Sequence, residues 1–464
     1  MFKKTILSAS VSALVLASGS AMAGDQMSMA QIQAQLQALS AQVQTLSNVV
    51  EQQSQVIAQQ DAALEAQKQA SAEAISNIQP AAGGVVGDVK ISMKPSPKIE
   101  STDGKYSFQP FGRVHFDVTQ FKDDASDQDN NMNLRRARLG FKGKIGEDLG
   151  YKAEVDFAEE GVALRDVILT YSGVEAADLV IGNQKPKFGL EQNTSSNYLQ
   201  TIERSGASNA FTRGHLLGVN ALAGSDNWSL AAGVFGEDAG NDDTGDDEDI
   251  SIDVRGSVNA LGFLNSDTDN VLHLGAGVSH RRPTDSGARF RVRPTGDGPR
   301  IVDTGALGNV DNVNVYGLEL AGVFGPFNAS AEYLRADVSR DGGFSDAEFD
   351  GYYAQAGWFI TGETRPYKGK SGNFGRVKPN SPFSLKNGGT GAVELVARYE
   401  SLDLNDAGAG VLGGEVESIT AGVNWHLNNN VRLMANVVEV DTDSNAEVAD
   451  DDPTVFNLRA QWDF

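Results

Sequence analysis

The sequence predicts an all-β transmembrane barrel of about sixteen antiparallel strands, preceded by an N-terminal α-helical coiled coil. Three observations carry that prediction. The chain closes on TVFNLRAQWDF, where Phe456, Leu458, Ala460, Trp462 and Phe464 take one parity and Asn457, Arg459, Gln461 and Asp463 the other, the period of a strand wetted on one face only. Mean hydropathy is −0.30, and past the first two dozen residues no apolar run approaches the ~18 residues of a membrane-crossing helix; an α-helical membrane protein is excluded, whereas a β one, with half-apolar strands, is not. The 464 residues include no cysteine, which removes disulfide frameworks, thiolate metal sites, a lipidated N-terminal Cys and Cys nucleophiles.

Residues 1–23 read as a cleavable signal peptide: Lys3 and Lys4, an apolar stretch, then Ala21-Met22-Ala23 before Gly24. Loss of those two lysines takes the formal charge from −24 to −26, which argues against nucleic acid as a partner. Residues 24–75 read as a periplasmic coiled coil, with Leu36, Val43, Val50, Ile57 and Leu64 in one heptad series and Ile32, Leu39, Leu46, Gln53 and Gln60 in the other. Residues 76–104, with Pro80, Gly83, Gly84, Pro95 and Pro97, read as a linker.

From Lys105 the texture becomes short alternating segments separated by Gly, Asn and Asp clusters. Strands are expected near 106–121, 133–146, 149–158, 163–172, 178–184, 216–224, 227–236, 249–261, 271–280, 312–324, 327–339, 348–361, 391–404, 415–427, 431–441 and 453–464. Tight connections, SD at 225–226, GP at 325–326 and NNN at 428–430, alternate with longer ones. Short turns at one end and long loops at the other suit an outer-membrane barrel over residues 105–464, whose closure leaves no unpaired backbone in lipid. The final strand then closes the barrel, with Trp462 and Phe464 as its terminal signal. A large soluble β-sandwich fits less well, because one parity stays apolar through almost every strand.

Specific strings carry a family resemblance. GRVHFDVTQF (112–121), VIGNQKPKFGLEQNTSSNYLQTIERS (180–205), FDGYYAQAGWFITGETRPY (349–367) and GAVELVARYESLDL (391–404) resemble the phosphate-selective porins O and P of Gram-negative outer membranes, over roughly residues 105–464. The resemblance implies a homotrimer of sixteen-stranded barrels. It implies that two inward-folded outer loops and one long periplasmic turn, carrying cations, narrow each pore. It also implies assembly by the barrel-assembly machinery through the C-terminal strand. The coiled coil lies outside the family's best-known core.

Charge placement can be read without the family. Three long connections are basic: one carries Lys185, Lys187, Arg204 and Arg213; the second Arg281, Arg282, Arg289, Arg291, Arg293 and Arg300; the third, on the short-turn side, Arg365, Lys368, Lys370, Arg376, Lys378 and Lys386. The connections 237–249 and 441–452 hold acidic residues and no basic ones. The candidate anion pathway is therefore Lys185, Lys187, Arg204, Arg213, Arg281, Arg289, Arg291, Arg293, Lys368, Lys370, Arg376 and Lys378. Parity adds Arg113, Arg136, Arg138, Lys142, Arg255, Arg398, Arg432 and Arg459 on the lumen wall. Arginine's planar fork grips phosphate oxygens, and lysine is a point charge; conduction needs attraction that still permits release. Because Asp117, Glu154, Asp156, Asp253, Glu394, Glu400 and Asp463 also face inward, wall arginines are expected to pair across strands.

The five histidines, His115, His215, His273, His280 and His426, show no triad or metal-ligand spacing, so neither catalysis nor a cofactor is expected. The reading is a passive channel for small hydrophilic anions, phosphate by resemblance. Its partners would be outer-membrane lipid, lipopolysaccharide and, through the coiled coil, peptidoglycan. A broad-specificity porin and a cell-wall tether anchored by a plugged barrel are the alternatives.

Overall fold

The computed structural model describes residues 89–464 except 94–95, 123–127, 160, 240–247, 266–267, 284–286, 294–295, 297, 299, 444 and 446–451, together with Gln44 and Asn48, both helical. The stretch read as signal peptide, most of that read as coiled coil and the start of that read as linker lie outside the described residues. The chain divides into two compact units, Met1–Val86 and Gly87–Phe464, and the second holds every strand among the described residues.

Sixteen strands wind up and down in sequence order: β1 Tyr106–Lys122, β2 Asn131–Ile145, β3 Leu149–Glu159, β4 Gly161–Tyr171, β5 Asp178–Gln184, β6 Leu216–Ser225, β7 Trp228–Phe235, β8 Glu248–Asn259, β9 Val271–Pro283, β10 Val310–Phe324, β11 Phe327–Arg340, β12 Ala347–Phe359, β13 Ala392–Asp406, β14 Val411–His426, β15 Val431–Thr442 and β16 Thr454–Asp463. Each pairs antiparallel with the next, and β16 returns to β1 from Thr454↔Lys122 to Asp463↔Arg113. The sheet is closed. Phe464 completes the seam by exchanging backbone hydrogen bonds with Gly112 at 3.1 Å. Among the described residues no helix is long and apolar enough to cross a membrane.

Alternation sets what each face meets. On β12, Tyr352 and Trp358 are exposed on the outside while Tyr353 and Gln355 are buried inside. All four tryptophans, Trp228, Trp358, Trp425 and Trp462, fall at the strand ends nearest the chain terminus, and Trp228, Trp358 and Trp462 are exposed on the outer face; this is the position of an interfacial aromatic belt. That terminal end carries the tight turns. At 325–326, Gly325 adopts φ +58°, the left-handed conformation that a two-residue hairpin turn demands and glycine supplies without strain.

Two expectations change. Within the stretch read as linker, Val89–Ser92 and Lys98–Ser101 form an antiparallel hairpin that pairs onto β1 at Ile99↔Phe108, occupying the edge that β16 leaves free beyond Phe464. The inner face is also not wet throughout. On β10 to β13, the inward Val313, Val315, Leu334, Ala336, Val338, Phe349, Leu402 and Leu404 form one buried cluster with Phe290, Val292, Ile301, Val302 and Leu307 from the β9–β10 connection. Apolar residues point inward there because a folded loop covers them.

Candidate functional site

Three connections fold into the lumen, and one of them, 185–215, borders a passage lined by charged side chains. The 185–215 loop opens with the short helix Leu190–Asn193, whose first amides, Leu190 N and Glu191 N, donate to the Glu332 carboxylate on β11 at 2.6 and 2.8 Å. It ends with Gly206–Phe211, capped by the Ser205 hydroxyl accepting from Ser208 N at 3.2 Å. Between them the chain crosses the barrel and is held by inward polar side chains of many strands. Arg113 on β1 donates to Ser196 Oγ (2.9 Å), Arg398 on β13 to Thr201 Oγ1 (2.7 Å), Asn424 on β14 to Gln200 O (2.8 Å) and Arg432 on β15 to Leu199 O (2.7 Å). Arg459 on β16 reaches Glu203 Oε1 at 2.7 Å.

The 360–391 connection folds in from the terminal end and meets this loop. Arg365 donates to Gln200 Oε1 at 2.6 Å and stacks on Phe374 with its Cζ 3.6 Å from the ring centroid. Phe374 is buried among Leu190, Val271, Ala321 and Val323. The 284–309 connection packs on the apolar inner wall of β10 to β13.

A polar passage of about 420 Å³ lies between the crossing loop and the wall of β1 to β4. Ten cations line it: Arg113, Arg135, Arg136, Arg138, Lys152, Arg165, Lys185, Lys187, Arg204 and Arg213. Among the described residues three carboxylates do, Glu154, Asp166 and Glu203. Toward the far end it shares Arg135, Glu203 and Asn209 with a recess of about 190 Å³ that adds Arg291, Arg293 and Arg300. Toward the terminal end, Lys142 and Lys152 stand over the Phe111 ring at 5.5 and 5.2 Å, and Lys368 and Arg376 over Tyr198, both at 5.5 Å.

Part of this charge is paired: Arg113–Glu154 at 3.0 Å, Arg136–Glu203 at 2.8 Å, Arg138–Asp156 at 2.7 Å and Lys152–Asp166 at 2.5 Å. Burial alone would push the Glu203 carboxyl up, but Arg136, Arg135 and Arg459 outweigh it and hold Glu203 well below the usual carboxylate range. Arg135, Arg165 and Arg213 also reach Glu203, Asp156 and Asp253 at 3.5, 3.3 and 3.9 Å, whereas Lys185, Lys187 and Arg204 have no carboxylate in ion-pair range among the described residues. Lys185 donates to Gln192 Oε1 at 3.3 Å, and Arg204 to the carbonyls of Glu191 and Thr194 at 3.1 and 2.8 Å. Burial, then the charges of Arg204, Arg138 and Arg136, push Lys185 well below its ordinary range, and burial lowers Lys187. A neutral oxygen can solvate the charged form of these side chains without cancelling it.

The structure therefore brings Lys185, Lys187, Arg204, Arg213, Arg113, Arg136 and Arg138 together, puts Arg291 and Arg293 above them, and sets Lys142, Lys368 and Arg376 at the terminal mouth. It places others elsewhere. Arg281 is buried and donates to Phe211 O, pinning the end of the crossing loop. Arg289 pairs with Asp303 in its own hairpin at 2.7 and 2.5 Å. Lys370 reaches outward to Asp178 at 3.3 Å on the rim, and Lys378 is exposed beyond the inward fold. Arg255, Arg398, Arg432 and Arg459 brace rather than line: Arg255 forks onto Glu319 at 2.7 and 2.6 Å and Arg459 onto Asp117 at 2.7 and 2.6 Å. Arg398 and Arg432 hold the crossing loop through Thr201 and Leu199, so these donors too are engaged by neighbours.

Sequence reasoning missed Arg135, Lys152 and Arg165. Lys152 shares the parity of Glu154 and Asp156, so its signal was present. Arg135 is the extra residue where His115↔Arg136 is followed by Phe116↔Leu134; this bulge turns adjacent side chains to one face and breaks alternation. Register shifts between Ala153/Val155 and Asp156/Glu159 do the same beside Arg165 and Asp166.

Comparison with known proteins agrees with this architecture. The family model described as phosphate-selective porin O and P matches residues 108–464. The chain belongs to that family. It is 30% identical to Porin O of Pseudomonas aeruginosa over 418 residues, 81% of this chain and 93% of that protein. It is 33% identical to an uncharacterized protein of Caulobacter vibrioides over 363 residues, 75% of this chain and 71% of the other. Among solved structures, Salmonella typhi OmpF in complex with daunomycin superposes with a TM-score of 0.51 at 12% identity, over 77% of this chain and 98% of that one, a likeness of fold. The protein is thus a β-barrel porin of the Gram-negative outer membrane.

Proposed function

We propose that this porin conducts small hydrophilic anions passively, with phosphate favoured, through the passage beside β1 to β4. The single observation that carries the reading is the ten-to-three excess of cations over carboxylates lining that passage in a chain of formal charge −24. An acidic protein that concentrates cations at its narrow interior offsets the desolvation of an anion there and opposes cations. The chemistry is graded along the path. Guanidiniums of Arg291, Arg293, Arg300 and Arg135 stand at the far mouth, suited to bidentate capture of phosphate oxygens, and Lys142, Lys152 and Lys368 stand toward the terminal mouth, where point charges release more readily.

In this reading the terminal end faces the periplasm, three copies form a trimer, and residues 1–23 direct export of a chain whose 24–75 segment forms a periplasmic coiled coil. Phosphate preference draws its support from the family; net anion preference draws it from the charge count. Reversal potentials across a planar bilayer in a potassium chloride gradient, followed by titration of phosphate, test both. A potential at the chloride side with conductance blocked by phosphate is expected, and a potential at the potassium side overturns the reading in favour of a general porin.

A further inference from the structure

The 360–391 connection has two limbs, and only the first enters the lumen. The second, 379–391, leaves the barrel mouth and lies against the outer wall. Phe383 N donates to Leu427 O at 2.7 Å, and the Phe383 ring meets Trp425 edge-on with centroids 4.9 Å apart. The Trp425 indole N–H donates to Thr390 O at 2.8 Å. Trp425 faces outward, since its neighbours Asn424 and His426 are buried inside the barrel while Val423, on its own parity, is exposed. A single antiparallel bridge, Ser384↔Gly389, closes the tip. Leu385 sits on that tip with 91% exposure, above every other large apolar side chain among the described residues, and exposed Lys386 follows it.

We propose that this limb is a foot planted in the bilayer, with Phe383 and Leu385 in the boundary between headgroups and acyl chains of the leaflet at the terminal end and Lys386 at lipid phosphates. Two observations select lipid as the occupant. The limb stands at the level of the tryptophan belt, because Phe383 and Thr390 on either side of the tip both meet Trp425. It is also continuous with the barrel's lipid-facing band, where Leu395, Val423 and Leu433 of β13, β14 and β15 are exposed on the same outer wall. A leucine tip followed by a lysine is the composition of an interfacial contact, the apolar part immersed and the ammonium reaching to the phosphate layer. The foot gives the connection a fixed point outside the barrel. Its inner limb, through Arg365 and Phe374, then braces the crossing loop from a strand end on one side and a membrane surface on the other.

The chain has no cysteine, so single nitroxide labels report the tip directly. Full-length protein carrying Leu385→Cys, Leu433→Cys or Lys370→Cys is reconstituted in vesicles of phosphatidylethanolamine and phosphatidylglycerol, and collision with oxygen is compared with collision with a water-soluble nickel chelate. The expected oxygen-to-nickel ratio at 385 lies several-fold above that at the rim position 370 and toward that at the wall position 433. Lys386→Cys gives a second reading independent of the leucine, expected between 385 and 370. A ratio at 385 and 386 equal to that at 370 places the tip in water and overturns the proposal. Loss of both collisions with dipolar broadening places it against a second copy and overturns it equally.

Discussion

The two sides of the lumen are built from the same kind of strand and do opposite things. Along β1 to β4 the inward residues are charged and border open space, with Lys185 and Arg204 facing them and carrying no carboxylate partner in ion-pair range among the described residues. Along β10 to β13 the inward residues at the far end are Val, Ala, Leu and Phe under a folded loop, and the buried carboxylates deeper in are closed by neighbours, Glu319 by Arg255 of β8 and Glu332 by Leu190 N, Glu191 N and the Tyr353 hydroxyl. On the proposed reading, selectivity does not follow from the number of arginines in a barrel. It follows from which of them are left with unspent charge beside water, and that is decided by where the loops fill the interior.

The filled side should fail by unfolding rather than by leaking. Arg255→Met leaves the Glu319 carboxylate, buried beside His273, without its main counter-ion, and breaking one partner of a buried pair costs about 3–5 kcal/mol. The expected result is earlier unfolding in guanidinium with ion selectivity unchanged in the fraction that folds. A shifted reversal potential at wild-type stability would show that the pair belongs to the ion path and erase the contrast.

The passage side should show the reverse pattern. Lys185→Glu with Arg204→Glu replaces two net positive charges by negative ones where field lines are confined by protein, and a fall in relative anion permeability on the order of a hundredfold is expected, read as an inverted reversal potential. Loss of the Arg204 bonds to Glu191 O and Thr194 O should loosen the crossing loop, while the barrel strands, which neither side chain joins, keep their unfolding temperature in detergent.

How much of the molecule was legible in the sequence depends on the same contrast. Strand periodicity is a local property, so all sixteen strands and the closing role of the last could be read from alternation. Of the site, Lys185, Lys187, Arg204 and Arg213 were legible because an acidic chain makes a basic loop conspicuous. Arg135 was not, because one bulged residue reverses parity without altering composition. The valines of β10 were not either: Val313 and Val315 share the inward parity of Glu319, and whether an inward valine meets water or a loop depends on chain folded from far along the sequence. Lys370 and Lys378 were assigned to the path on net charge, but the connection that carries them splits into an inward and an outward limb, a decision made by Phe374 and Phe383 finding different apolar neighbours.

A smaller effect should sharpen the filled side. Phe290 packs edge-on against Phe211 of the crossing loop and tilted against Phe349 of β12, with centroids at 5.6 and 5.5 Å. Phe290→Leu keeps the apolar character and loses part of the volume, at an expected cost of about 1 kcal/mol. Because Phe211 ends the loop that borders the passage, open-channel current noise should rise while mean conductance stays near wild type. Unchanged noise would mean that the crossing loop is held by its polar bonds alone.

The subtlest expected effect concerns pH on the open side. Burial and the guanidiniums of Arg204, Arg138 and Arg136 favour the neutral amine of Lys185 and put its pKa well below the ordinary 10.5. A lowered pKa means that the ammonium is present at the acid end and is lost as pH rises through the shifted value, while the arginines keep their protons. Anion conductance should therefore decline a few-fold with rising pH before free lysines titrate. Lys187, also lowered by burial, extends the decline. Lys185→Arg retains a charge through that window and should flatten the curve while leaving its acid-side plateau in place. If the variant and wild type decline together, the titrating group lies elsewhere, and the charge at Lys185 is not what the permeating anion meets.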